Sequence, residues 1–144
     1  MIEPQWDRPP ACHPPPLGPP PILVLSGEAQ AARAAREFVR EFIAYHAPGA
    51  PDAHVDSVVL VTSELVTNSI RYGTEPGDSL ALILTVTADR VRIEVHDPVR
   101  RHPHLKPESE ERQRGRGMFI VDRLAKWGVD ERPFGKIVWA EVSR

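Results

Sequence analysis

Apolar positions recur with two different periods along this chain. In "SLALILTV" and "RVRIEVHD" every second residue is apolar: Leu80, Leu82, Leu84 and Val86, then Val91, Ile93 and Val95. That alternation predicts a β-hairpin turning at "TADR", with one face against a core. Earlier, "GEAQAARAAREFVREFIAYHA" brings Phe38, Val39, Phe42 and Ile43 onto one helical face, with Ser26 as the expected cap. "ILVLS" before it reads as a short strand, and "PGAPD" after it as a break. The next segment, "VDSVVLVTSELV", is rich in β-branched residues, but one strand of its length would far exceed the usual ~5–6 residues. Val55, Val59, Thr62, Val66 and Ser69 form a helical stripe widened by Val58, Leu65 and Ile70. A second helix is therefore predicted from Asp52 to Tyr72, framed by Pro51 and Gly73.

After the hairpin the rhythm disappears from Pro98 to Arg114, a polar stretch with three prolines and two histidines. A loop of that length inside a compact domain is usually functional or disordered. "GMFIVDRLAKWG" predicts a third helix, with Phe119, Ile120 and Leu124 inward and Gly128 as its stop. "VDE" and "KIVWAEV" then predict two closing strands around a turn at "RPFG". The order is strand, two helices, hairpin, loop, helix, two strands. It implies an α+β two-layer sandwich, a mostly antiparallel mixed sheet covered on one face by about three helices.

Composition narrows the function. Nine of the 16 prolines lie in the first 21 residues, so 1–21 is expected to be a polyproline-like or disordered arm and 22–144 the folded domain. A formal charge of -2 lends no support to direct nucleic-acid binding. The single cysteine, Cys12, rules out an intrachain disulfide and a cysteine metal cluster. No secretory signal or bilayer-length apolar run is evident, and a cytoplasmic location is expected.

The chemistry-bearing residues gather in three places. Glu64 and Asn68, four apart, share a helix face with Arg71 alongside. A carboxylate beside a carboxamide can hold a hydrated Mg2+ and orient an attacking hydroxyl; equally, the three can form a solvated stripe. Asp97 ends the hairpin, where it can accept a hydrogen bond from an exocyclic amine or simply begin an Asp-Pro turn. "GRGMFIV" places Gly115 and Gly117 before a helix, which suits a phosphate at the helix N-terminus or a plain loop-to-helix junction. It is neither a P-loop nor a dinucleotide fingerprint.

Taken together, "ELVTNSIRY", the hairpin ending at Asp97, the polar loop and "GRGMFIV" resemble the GHKL (histidine kinase/gyrase-like) ATPase superfamily. "GRGMFIVDRLAKWGVDE…GKIVWAEV" looks most like its anti-sigma-factor serine kinase subgroup of stand-alone actinobacterial regulators. The resemblance covers about Ile22 to Val142. It implies ATP and Mg2+ as cofactors, with Glu64 as general base and Asn68 as metal ligand. It further implies that Arg71, Tyr72, Arg114, Gly115, Gly117 and Met118 line the nucleotide, that Asp97 reads adenine, and that Pro98–Arg114 forms a lid in which Arg112 or Arg114 steadies phosphates. The implied activity is serine/threonine protein kinase, with an anti-anti-sigma (STAS-type) protein or a sigma factor as partner. A homodimer would fit, since relatives often dimerise. Two positions depart from the pattern: Val99 stands where the first glycine after Asp97 falls, and Ile137 replaces a threonine expected to support Asp97. These departures point to the alternative, a weakly nucleotide-binding module that sequesters its partner.

Overall fold

The computed structural model describes residues 20–75, 77–97, 117–133 and 135–144. The expected lid Pro98–Arg114, with Arg112 and Arg114, lies outside the described residues, as do Val99, Gly115 and all but the end of the proline-rich arm. Strand β1 (Ile22–Ser26) leads into helices α1 (Ala31–His46) and α2 (Asp52–Gly73). The hairpin β2 (Ser79–Val86) and β3 (Arg90–Asp97) follows. A helix over 117–124, here α3, precedes β4 (Lys126–Arg132) and β5 (Gly135–Ser143).

The strands form one five-stranded sheet in the order β1-β2-β3-β5-β4, and all four pairings are antiparallel. Directly opposed residues share a sheet face. Leu82, Val95 and Val138 therefore line up on one face, as do Leu84 and Ile93 with Ala140. This face is buried against Phe42 and Ile43 of α1 and Val58, Leu65 and Val66 of α2. The opposite face carries Ala81 and Ile83 with the alternating charges of β3, Arg90, Arg92, Glu94 and His96.

Helix α2 forms despite its β-branched content because burial outweighs a weak local preference. Thr62, fully buried, donates to the Val58 carbonyl at 2.8 Å, and Ser57 donates to Ala53 at 3.0 Å. Back-bonding of this kind satisfies hydroxyls that would otherwise compete with the helix. Asp52 stands in the first turn, where the helix dipole favours an acid.

Three local expectations are corrected. Ser26 does not cap α1: it still pairs with Ser79 as the last residue of β1, and the Gly27 N–H donates to the Asp78 carbonyl at 2.8 Å. The helix starts later, with Gln30 at its N-cap and no side-chain cap bond. Second, Gly128 does not stop α3. That helix closes with Ala125 N–H donating to the Val121 carbonyl, and Lys126 already pairs with Glu141. Gly128 lies inside β4 opposite Trp139, whose ring atoms would sit 2.7–2.9 Å from any Cβ built there. Third, Phe119 is 59% exposed and Leu124 is also exposed; the inward face of α3 is Met118 and Val121, with Ala125 just beyond.

Candidate functional site

Only five residues, 74–78, separate the end of α2 from the start of β2. The first residues of β2 lie beside the end of β3, where Ala81 opposes His96. β5 begins next to that same end, with Lys136 opposite Asp97. The last turns of α2, the end of β3 and the start of β5 therefore converge on one end of the sheet. Helix α3 starts there as well, because its first described residues meet α2.

That meeting is close. A Cβ added to Gly117 would lie 2.8 Å from Glu64 Oε2, so only glycine lets the α3 backbone come so near this carboxylate. One residue on, Asn68 Nδ2 donates to the Met118 sulfur at 3.7 Å. With the amide nitrogen turned to sulfur, the carboxamide oxygen is the acceptor that a ligand could meet. Glu64 and Asn68 are both half-buried, and Arg71 is exposed in the last turn with the half-buried Tyr72 beside it. Their spacing puts all four along one side of α2. On the α1 side, Arg36 Nη1 donates to Ser63 Oγ at 3.2 Å, tying the turn that bears Glu64 to the neighbouring helix.

Asp97 is 3% exposed and lies on the helix-side face, its Oδ2 shut off from solvent. A buried carboxylate at a strand end is held in place by its surroundings, which suits recognition of a fixed donor pattern. Lys136, directly across from it, received no role from the sequence, because alternation along one strand does not reveal its register with another. The same register corrects the reading of Ile137. It opposes His96, so it lies on the face away from Asp97. The missing threonine hydroxyl would not have touched Asp97 from that side.

The structure thus brings Glu64, Asn68, Gly117 and Met118 into contact distance of one another across α2 and α3. It places Arg71, Tyr72 and Asp97 at the same end of the sheet, and Arg114 and Gly115 lie outside the described residues.

No group of three or more His, Cys, Asp or Glu among the described residues could enclose a metal. A cation here would draw one oxygen from Asn68 and the rest from phosphates and water. That is how Mg2+, which gives up its waters reluctantly, is usually held beside phosphate. The donor set and the glycine-lined approach at Gly117 thus fit a metal-bound nucleoside triphosphate. Among the described residues, no helix is long and apolar enough to cross a membrane.

Comparison with protein families matches residues 25–140 to the histidine kinase-like ATPase domain. Comparison with curated proteins gives no match. The matched span runs from within β1 to within β5 and encloses Glu64, Asn68, Asp97 and Gly117.

Proposed function

Because this chain belongs to the histidine kinase-like ATPase domain family, an ATP-binding one, we propose that it is a regulatory protein kinase of the anti-sigma-factor type. Its substrate would be a serine or threonine on a small anti-anti-sigma (STAS-type) partner, and a sigma factor would be its second partner. The supporting observation is the contact of Glu64 and Asn68 on α2 with Gly117 and Met118 at the start of α3.

Bound ATP with Mg2+ would supply the transferable phosphoryl group and the charge that steadies it. Asn68 would hold the metal through its carboxamide oxygen. Gly117 and the following N–H groups of α3 face the phosphates, where the helix dipole favours negative charge. Arg71 adds a cation from the end of α2; a phosphate role for Arg114 and Gly115 rests on the family resemblance alone. Tyr72 flanks the nucleotide, while Asp97 accepts from the exocyclic amine of adenine and so selects against guanine. Glu64 takes the proton from the attacking hydroxyl, a role that contributes about 10²–10⁴-fold in rate.

The sequestering alternative draws on Val99, which replaces the first glycine after Asp97. Labelled γ-phosphate transfer from ATP to a STAS-type protein separates the two readings. The kinase reading expects transfer by the native chain, with Glu64→Gln keeping ATP affinity and losing about 10²–10⁴-fold in transfer. Full transfer by that variant removes Glu64 as the base. ATP binding without transfer by the native chain selects the sequestering role.

A further inference from the structure

The described helices pack on one face of the five-stranded sheet, and the other face carries an apolar band. Ile22 and Val24 of β1, with Val24 67% exposed, are continued by Ile83 of β2 and by Ile137 and Trp139 of β5. Ile137 is only 8% exposed, although none of the described helices packs on that side. The charges between these residues are already neutralised within the face. Arg90 and Arg92 pair with Glu141, while Arg92 and His96 pair with Glu94, at 3.0–3.4 Å. Arg92 also stacks over Trp139 at 4.6 Å. The stretch from β1 to β5, with the β3 charges paired and an indole beside them, calls for an occupant of low charge that packs on aromatic rings; Lys126, Asp130 and Arg132 of β4 lie beyond it on the same face.

We propose that the occupant is the chain's own proline-rich segment, residues 1–19, folded back across this face from β1 towards Trp139. The chain just beyond this segment is already fixed at the edge of the sheet, since the Leu84 N–H donates to the Pro21 carbonyl at 2.9 Å. Seven of those 19 residues are proline, and the acidic and basic side chains are Glu3, Asp7, Arg8 and His13 alone. Prolines lack the N–H that pairing with the free edge of β1 would require, so the segment suits the face and not the edge. Polyproline segments dock on aromatic-lined surfaces with little entropy to lose. Reach is ample: at about 3.1 Å per residue the segment spans roughly 59 Å, whereas five strands about 4.8 Å apart span roughly 19 Å. Tethering at Pro21 gives it an effective concentration of about millimolar, which a second copy must exceed to take its place.

Cys12 is the only cysteine, so a nitroxide attached to it reports where the segment lies in the full chain. Paramagnetic broadening of the 15N-labelled chain is expected to peak at the amides of Ile137 and Trp139 and at the Trp139 indole, three strands from the attachment point. Broadening that only decays outward from Ile22 overturns the proposal. So does a β5 peak that persists on 15N-labelled, nitroxide-free copies mixed with nitroxide-bearing ones, since the segment would then come from a second molecule.

Discussion

At the scale of single residues, Glu64 and Asn68 show how much a four-residue spacing reveals. Their shared helix face was legible because helical geometry leaves no other arrangement once α2 is accepted. What they touch was not legible, since Gly117 and Met118 arrive from another element some fifty positions away. Gly117 also separates structure from function in a testable way. A Cβ there would meet the carboxylate tip of Glu64 at 2.8 Å, the far end of a flexible side chain that can swing aside. Gly117→Ala is therefore expected to leave the thermal midpoint nearly unchanged while weakening phosphoryl transfer through a displaced Glu64. Parallel melting and transfer assays check this, and a large loss of stability with unaltered transfer would contradict it. Ile137 marks the opposite case: matched to a motif, it seemed to bear on Asp97, yet the pleat turns it to the other face.

Among the elements, the hairpin was readable because the buried side of β2 and β3 is apolar at every alternate position, apart from Asp97 at its end. β4 was underestimated for a physical reason. It is an edge strand with little burial, and Val129 on its helix-side face remains exposed, so it lacks the contrast that announces a strand. Its glycine was mistaken for a helix terminator, although its purpose is to leave room for the Trp139 ring. An indole lying against a backbone cannot bend away as Glu64 can. Gly128→Ala is accordingly expected to cost about 1–3 kcal/mol by overpacking, measured by urea unfolding; a cost near zero would mean that the ring repacks freely.

For the whole molecule, the described helices cover one face of the sheet and build the site at its end, while Ser143 and Arg144 sit beside His54 at the beginning of α2. His54, 7% exposed, has its Nδ1 enclosed without a hydrogen bond. Burial, with the Arg144 charge beside it, holds its pKa below the ordinary 6.5 despite a hydrogen bond with the Ser143 backbone. The unfolded chain therefore binds a proton on this residue at a higher pH than the folded one does. Stability is expected to fall as pH drops below about 6.5 and to level off once the folded value is passed. His54→Gln should flatten that part of the profile in unfolding titrations, and an unaltered slope would assign the dependence elsewhere. At this scale the central claim is a single nucleotide site spanning α2, α3 and the end of β3. Calorimetric titration with ATP, with and without Mg2+ and with GTP as the base control, tests it most directly on the native chain and Asn68→Ala. The expected result is ATP binding strengthened by Mg2+ in the native chain, weak binding of GTP, and loss of the Mg2+ effect in a variant that melts normally. Equal Mg2+-dependent affinity in both proteins, or equal affinity for GTP and ATP, would contradict the site as assigned.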